Sequence, residues 1–191
     1  MAILSAKLTG DGHRRLANAA RDLSGAQTKR AYSRAINRTN DRAFTATKRA
    51  LADQVGLSQG KVVALGQLRR GRATPAALSA EIKANSNHIS LKEFGARQFG
   101  YGVRAKPWGE ARRFDGAFIF AGSPRSGKPV KDGHAFTRTS GDSHPIEMMF
   151  GPNIAEELTK DQSRESWNVA ANFLEQRILH EIRVIAKGVV S

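Results

Sequence analysis

The sequence predicts an α+β fold, in which a long helix of the N-terminal half and a long C-terminal helix pack on a mainly antiparallel sheet with extended loops. Apolar residues recur at steps of three and four in both helical regions, which is the period of a helix. Between them, residues 73–150 alternate apolar and polar residues and contain glycine and proline, a pattern typical of short strands. This order, with helices first, then strands and then a helix, favours α+β over alternating α/β units.

The first part of the chain, residues 1–72, is predicted to be mostly helical. A short strand over Ile3–Leu8 is followed by a short helix whose apolar face carries residues 16, 19, 20 and 23. The clearest helix runs over about Gln27–Gln54 without a proline, and Gly56 ends it. A shorter helix follows over Ser58–Leu68, with Ser58 as its N-cap.

The second part, residues 73–150, contains the strand candidates. Alternation predicts strands around residues 78–82 and 89–91, with a turn at Ser86-Asn87 between them. Further candidates are the segments 99–103 and 118–120. Residues Gly122–Gly133 have almost no apolar side chains, and we expect a mobile loop there.

The third part, residues 151–191, is predicted to be one long helix over about Gln162–Lys187. Its broad apolar stripe indicates that much of the helix is buried, and Thr159 with Gln162 has the spacing of a capping box. The stripe consists of Trp167, Ala171, Leu174, Ile178, Ile182 and Ile185. We expect the three parts to form one domain over residues 1–191, because one core is sufficient for this length.

The charge of the chain is strongly positive and uneven. It has 31 lysines and arginines against 17 acidic residues, a net charge of +14. Residues 1–150 carry 26 basic and 11 acidic residues, whereas residues 151–191 carry 5 and 6. Such a field attracts phosphate backbones or an acidic protein partner, and the charge alone does not choose between them.

Several classes of protein are disfavoured by composition. The chain has no cysteine, which excludes disulfides, thiol catalysis and thiolate zinc sites. No apolar run approaches the ~20 residues that span a bilayer, so we expect no membrane contact. The N-terminal residues lack the pattern of a signal peptide, and we expect synthesis in the host cytoplasm.

A phosphate-loop motif is the most suggestive catalytic pattern, over Gly122–Lys128. The glycines and lysine have the correct spacing, but a phosphate loop needs a serine or threonine next, to hold magnesium, and then a helix. Here Pro129 follows, and residues 130–133 do not resemble a helix. We therefore predict a basic loop without a bound nucleotide.

Other catalytic constellations are not recognisable in the sequence. The five histidines have no partner at a metal-ligand spacing, the carboxylates are scattered, and no Gly-x-Ser-x-Gly elbow occurs. The histidines are His13, His88, His134, His144 and His180. We predict that the protein is not an enzyme and uses no cofactor or metal.

A basic row is the strongest candidate for a contact site. Arg30, Arg34, Arg38 and Arg42 are spaced by four on the long helix, where like charges repel each other, and only Asp41 lies nearby in sequence. Three further arginines, Arg69, Arg70 and Arg72, follow the second helix. The row either faces an anion, from DNA or from an acidic neighbouring subunit, or is a solvated face that serves solubility.

Seven segments in order carry a resemblance to a known family. The segments, from about Arg30 to the closing helix, are Arg34–Thr39, Ala73–Ala76, Ile89–Phe94, Gly102–Gly109, Phe114–Ile119, His134–Arg138 and Pro145–Pro152. Taken together they resemble the prophage minor tail protein Z family, the tail-completion proteins of long-tailed bacteriophages. The first 25 residues and the loop of residues 122–133 contribute little to the resemblance, and their roles stay open.

The resemblance implies a structural role. Members act late in tail assembly near the head-proximal end, and a finished tail needs them to yield an infectious particle after joining the head. We therefore expect a virion protein that forms a homo-oligomeric ring, a hexamer, and contacts the tail terminator, tail tube or neck proteins. Genomic DNA in the lumen is a further candidate partner. A ring around DNA would use a positive inner surface.

The alternative from another class is a free basic protein that binds nucleic acid. It explains the charge equally well, although no helix-turn-helix, zinc finger or aromatic-basic RNA motif is recognisable. A gel shift with the isolated protein near physiological salt separates the two hypotheses.

Overall fold

The computed structural model describes residues 2–5, 25–121, 127–140 and 144–189, with the backbone alone for 2–5, 121 and 185–189. These residues form helices and short antiparallel strands, which confirms the α+β class. The helix predicted around residues 16–23 lies outside them, and so do residues 122–126 of the predicted loop. In the part of the chain that the structure describes, no helix is both long and apolar enough to cross a membrane.

The long helix of the N-terminal half is the central element. Helix α1 spans Gly25–Val55, 31 residues, which confirms the prediction for Gln27–Gln54. Its buried face consists largely of small and polar side chains: Thr28, Ala31, Ser33, Ala35, Ile36, Thr39, Asn40, Ala43, Thr47, Leu51, Ala52 and Val55. The C-terminal helices pack along this face.

A short helix and a strand follow α1. Helix α2 spans Gln59–Leu65, and the Ser58 side chain accepts a hydrogen bond from the Lys61 backbone N–H, as the capping prediction requires. The basic segment after it is strand β2, Arg69–Gly71. The backbone of this segment is attached to α1, because the Asn37 side-chain amide donates to the Ala73 carbonyl and accepts from the Ala73 N–H.

The strands form several small antiparallel sheets instead of the one sheet that the sequence predicts. Strand β1 is Ala2–Ser5, and the others are β3 Glu81–Ala84, β4 His88–Ser90, β5 Arg97–Phe99, β6 Gly102–Ala105, β7 Arg112–Asp115, β8 Phe120–Ala121, β9 Lys128–Pro129, β10 Phe136–Arg138, β11 Ile146–Met148 and β12 Phe150–Asn153. The described sheets are β1-β3-β2, β5-β6-β7, β4-β12, β8-β9 and β10-β11.

The predicted turn at Ser86-Asn87 does not join paired strands. Strand β3 pairs with β1 and β2, whereas β4 pairs with β12. The chain therefore passes from one sheet to another at this point, where the Ser86 carbonyl accepts a hydrogen bond from the Asn153 side chain. Within the predicted mobile loop, the described residues 127–133 include β9, which pairs with β8, and a single 3₁₀ turn.

The prediction of one C-terminal helix is wrong, because three helices occupy this region. They are α3, Ile154–Leu158, α4, Asp161–Ala171, and α5, Leu174–Val189. The break between α4 and α5 falls at Asn172 and Phe173, where asparagine is a weak helix former. The predicted capping box is also wrong: Thr159 ends α3, where its hydroxyl donates to the Glu156 carbonyl.

The main hydrophobic core lies between α1, the strands and α3–α4. Its fully buried side chains come from all three parts of the chain and include Leu51, Ile82, Leu91, Ile154 and Leu158. The Gln54 amide ties α1 to the C-terminal region: its nitrogen donates to the Glu157 carboxylate at 2.6 Å, and its oxygen accepts from the Ser163 hydroxyl at 3.0 Å. Elements that are distant in sequence thus share one interior.

Gly56 ends α1 with a left-handed backbone, φ +75°, directly against a second tight turn. A Cβ atom at this position would lie 2.7 Å from the Gly109 Cα, and the Gly109 backbone cannot move aside as a flexible side chain would. Gly60 in α2, by contrast, has open space around it.

We expect Gly56→Ala to lower the free energy of unfolding by about 2 kcal/mol, because both the positive φ and the contact with Gly109 oppose a side chain. Gly60→Ala is the matched control and should raise stability by about 0.5 kcal/mol, since alanine favours a helix. Urea unfolding followed by circular dichroism measures both. Equal stability of the two variants would contradict this account of the turn.

Candidate basic interface

The predicted basic row lies on the exposed side of α1. Arg30, Arg34, Arg38 and Arg42 are all exposed, and residues at steps of four follow one side of a helix. Helix α5 borders the row on one side and β2 on the other. We call the row together with Arg69, Arg70 and Arg72 the basic surface.

A buried carboxylate of α5 neutralises part of the row. Glu181 has a side chain that is 6% exposed, and one oxygen lies 3.0 Å from Arg34 Nε. Its other oxygen lies 3.0 Å from Arg38 Nη1 and 3.2 Å from Arg177 Nη2. Because an unpaired buried carboxylate is costly, these three guanidinium groups are what allows Glu181 to be buried.

Asp41 connects the row to the arginines of β2. Its carboxylate oxygen lies 2.7 Å from Arg70 Nη1 and 3.5 Å from Arg72 Nη2. The Arg70 guanidinium also lies over the Phe44 ring, 4.8 Å from its centroid. The Asn40 side chain donates to the Gly71 carbonyl and holds this backbone against α1. The structure thus brings six of the seven predicted arginines to α1 and its border with β2.

The remaining arginines of the basic surface have no acidic partner in the part of the chain described here. Arg42 lies over the Phe173 ring, 3.8 Å from its centroid, and this cation–π contact orients its guanidinium. Arg30 and Arg69 form no ion pair with any described residue. Arg69 is exposed on β2, opposite Lys83 of β3.

An excess of positive charge therefore remains on this side of the molecule. Seven guanidinium groups lie here, those of the four row arginines, Arg70, Arg72 and Arg177, and they stand against two carboxylates, Glu181 and Asp41. A groove of about 510 Å³ opens between α1 and α5, and it is lined by Arg38, Thr39, Arg42, Phe173, Gln176, Arg177 and His180. Exposed guanidinium groups beside a groove are the arrangement that favours an anionic ligand.

The helix contact beside this surface is apolar. Ala35 and Ile178 are buried against each other, with Tyr32, Leu174 and Ile182 packed around them. Burial raises the pKa of the Tyr32 phenol, because the charged form would lose its hydration. This contact holds α5 in the position from which Glu181 reaches the arginines.

Sequence reasoning missed Glu181 as the partner of the row. Glu181 is 147 residues from Arg34 in the sequence, and neither segment alone indicates that the two side chains are in contact. One signal was present, since Glu181 interrupts the apolar stripe of the predicted closing helix, between Ile178 and Ile182. A carboxylate on a buried stripe requires a cation nearby.

A second set of arginines was also missed. Arg97, Arg104 and Arg113 lie opposite one another on three adjacent strands, and all three are exposed. We call them the arginine ladder. They are not evenly spaced in the sequence, so only the pairing of β5, β6 and β7 reveals the row.

The other motifs of the sequence do not assemble into a catalytic site in the described residues. Lys128 lies in β9, paired with β8, and a 3₁₀ turn follows in place of the helix that a phosphate loop needs. His134 Nδ1 lies 2.6 Å from the Ser90 hydroxyl, a contact between a strand and a neighbouring loop. No three acidic or histidine side chains of residues 25–120, 127–140 and 144–184 come together as metal ligands.

Comparison with known proteins gives one match. The model of the family described as prophage minor tail protein Z (GPZ) matches residues 14–187 of the 191-residue chain. The match includes α1, the strand region, α3, α4 and most of α5. No curated protein and no solved structure matches the chain significantly.

We expect the double substitution Arg34→Gln and Arg38→Gln to lower the free energy of unfolding by about 2 kcal/mol, because Glu181 keeps only Arg177. The loss is smaller than for a fully buried pair, since the two arginines are half exposed. Adding Glu181→Gln should restore most of the stability, because an amide needs no counter-charge.

Urea unfolding of the double and triple variants measures this effect, with Arg30→Gln as the matched control. Arg30 has no ion pair among the described residues, so its loss should change stability by less than about 0.5 kcal/mol. A double variant as stable as the control would show that Glu181 does not depend on the row.

Proposed function

The chain belongs to the prophage minor tail protein Z family and is a structural component of a phage tail, and from this we propose that it completes the tail at its head-proximal end. In this role it is needed for the joined head and tail to form an infectious virion. Its activity is assembly, since the family is a structural one and suggests no reaction. The neighbours we propose are the tail terminator, the tail tube or the neck proteins.

We propose further that the protein acts as a cyclic homo-oligomer of six copies. When one surface of a subunit binds a different surface of the next copy, the copies form a closed ring if the rotation between neighbours returns to the first copy. A ring at the end of a tail must leave the path of the genome open, which a cyclic arrangement does. The isolated chain can be monomeric and close into a ring only on the tail.

The observation that carries the proposal is the unbalanced basic surface. Its arginines exceed the carboxylates that neutralise them, and Arg30, Arg42 and Arg69 have no carboxylate partner among the described residues. A ring that turns this surface to the lumen would pass DNA through phosphate contacts, which do not depend on base sequence. An acidic face of a neighbouring tail protein would use the same charges.

A free nucleic-acid-binding protein remains the second candidate, and the same excess charge favours it. That protein would bind duplex DNA as an isolated chain at near-physiological salt, with an affinity that falls steeply as salt rises. A subunit that acts only within the ring would bind DNA weakly when isolated, because one copy presents few phosphate contacts.

Localisation in the particle tests the proposed position. Particles are assembled by complementation with a tagged chain, and reconstruction or antibody labelling should find the tag at the junction of head and tail. Particles made without the chain should accumulate as separate heads and tails. A tag at the distal tip, or joined particles without the chain, would overturn the proposal.

We expect Arg30→Gln with Arg69→Gln to lower the yield of infectious particles about tenfold, because each lost charge removes a phosphate or carboxylate contact in every copy of the ring. Folding should be unchanged, since neither arginine has an ion pair with a described residue. The matched control is Lys106→Gln with Lys128→Gln, which removes the same charge from exposed positions outside the basic surface.

Plaque counts after complementation measure the yield, and circular dichroism confirms that both double variants fold. Equal yields from the two variants would mean that the arginines of the basic surface serve only solubility. A gel shift that is strong for the unaltered isolated chain and lost in the Arg30/Arg69 variant would favour the free DNA-binding alternative.

A further inference from the structure

A pocket with aromatic walls lies beside the arginine ladder, at the turn between β5 and β6. Its volume is about 490 Å³, which is within the usual range of ligand pockets. Four aromatic side chains line it, and so do Arg138 and His144, whereas none of the described residues that line it is acidic. The aromatic residues are Phe99, Tyr101, Phe118 and Phe120. We call this site the aromatic pocket.

The Phe99 ring is exposed and yet fixed in orientation. It is 40% exposed, and it lies parallel to the Tyr101 ring, with the two planes at 1° and the centroids 5.4 Å apart. The Arg113 guanidinium lies 3.9 Å from the centroid of the same Tyr101 ring. Stacking and cation–π contacts hold these groups together, so Phe99 offers a preformed surface on which a further planar group can stack.

The arginine ladder places positive charge beside Phe99. Arg97 precedes Phe99 by two residues, so both side chains lie on one face of the sheet, and Arg104 lies opposite Arg97. Strands β5, β6 and β7 contain four arginines and one acidic residue, Asp115, which lies 3.1 Å from Arg113. Arg97 and Arg104 form no ion pair with any residue of the described ranges, although like charges directly opposite each other destabilise a sheet.

Two further arginines border this region. Arg112, the fourth arginine of the three strands, lies on the other face and is 3.6 Å from Glu110. Arg138 has no ion pair among the described residues, and its guanidinium lies over the Phe118 ring, 4.7 Å from the centroid. The aromatic pocket therefore has an unpaired guanidinium in its wall as well as the ladder beside it.

Acidic side chains close to the pocket do not cancel this charge. Glu147 follows Ile146, which lines the pocket, and alternation along β11 turns the Glu147 side chain to the opposite face. Asp132 is adjacent to Lys131, so this pair adds no net charge. The surroundings of the pocket thus remain positive after the nearby carboxylates are counted.

We propose that the aromatic pocket and the arginine ladder together bind a single-stranded nucleic acid. One base stacks on Phe99 in the pocket, and the adjacent phosphates lie at Arg97 and Arg104. Sites for single strands combine a positively charged groove with aromatic rings on which bases stack, and phosphates would offset the repulsion within the ladder. This inference goes beyond the proposed function and does not depend on the ring, on its position or on the basic surface of α1.

A single strand fits this site better than the other anionic partners do. The bases of a duplex are paired and stacked inside it, so they do not reach Phe99 unless the duplex opens. An acidic peptide would neutralise the ladder, but it offers a planar group only where an aromatic residue happens to follow an acidic one. Every nucleotide carries a base beside a phosphate.

Two oligonucleotides separate the base from the phosphates. One is a labelled oligothymidylate of about 12 nucleotides, a length that covers a typical single-strand site. The other is an abasic oligonucleotide of the same length, which has the same phosphates and no bases. Fluorescence anisotropy with the isolated chain should show that the oligothymidylate binds about tenfold more tightly than the abasic strand.

Substitutions then assign the two contributions. Phe99→Leu should weaken binding of the oligothymidylate about tenfold and leave binding of the abasic strand unchanged, because only the stacking surface is lost. The matched control is Phe150→Leu, at an aromatic residue of β12 that is 47% exposed and lies outside the pocket. Circular dichroism confirms that both variants fold.

The double variant Arg97→Gln and Arg104→Gln should weaken binding of both strands. It should also reduce the slope of log K against log salt by about 1.4, which is about 0.7 for each of two lost phosphate contacts. The Phe99→Leu variant should keep the slope of the unaltered chain, because it loses no charge.

A photo-cross-link locates the base. An oligonucleotide that contains 5-bromodeoxyuridine is irradiated in the complex, and the adduct should appear in the tryptic peptide of residues 98–104, which contains Phe99 and Tyr101. The variant Arg30→Gln with Arg69→Gln should give the same adduct, since neither residue belongs to this site.

Several outcomes would overturn the inference. Equal affinity for the two strands, or equal effects of Phe99→Leu and Phe150→Leu, would leave the ladder as a plain polyanion site. A duplex that binds more tightly than the single strand, through Arg97 and Arg104 but not Phe99, would replace the single strand by duplex DNA. No binding of the oligothymidylate, or an adduct only in another peptide, would remove the site altogether. None of these results bears on the position in the tail, which the tagged particles test.

Discussion

The narrow, small-residue face of α1 is the constraint on which the rest of the structure depends. Alanine and threonine dominate its buried positions, so the helices that pack on it can approach closely, but a small side chain buries little apolar area. Stability must then come from many neighbours at once. The neighbours are α4, α5 and the segment after β2, and polar links such as Gln54 to Ser163 and Asn37 to Ala73 hold them in position.

The sequence predicts those features whose cause lies within one segment. Helix α1 is predicted to within two residues at its start and one at its end, because its period and its stop at Gly56 are local. The break between α4 and α5 at Asn172-Phe173 is not predicted, because the apolar stripe continues through it and neither residue is a strong helix breaker. Which strands pair depends on contacts between segments that are distant in sequence. The sequence therefore predicts one sheet, whereas the described residues form five small ones.

In the candidate site, too, local features are predictable from the sequence and long-range contacts are not. Helical spacing alone locates the row of arginines on α1, whereas Glu181 meets them only through the packing of α5. Part of the positive charge of the row is consequently neutralised by a carboxylate of the same chain. The ladder of β5, β6 and β7 has no regular spacing in sequence and becomes visible only as paired strands. A smaller share of its arginines has a carboxylate partner among the described residues than in the row, although the row is the more conspicuous of the two in the sequence.

The link between Asn37 and Ala73 has a consequence for how the chain length can vary. Asn37 pairs with both backbone groups of Ala73, and Gly56 fixes the start of the connection against Gly109. The contacts at its two ends therefore fix the length of the segment between Gly56 and Ala73. One residue more or fewer there would misplace β2 and the strand it pairs with, so during evolution this connection should tolerate substitutions at its exposed positions but resist insertions and deletions.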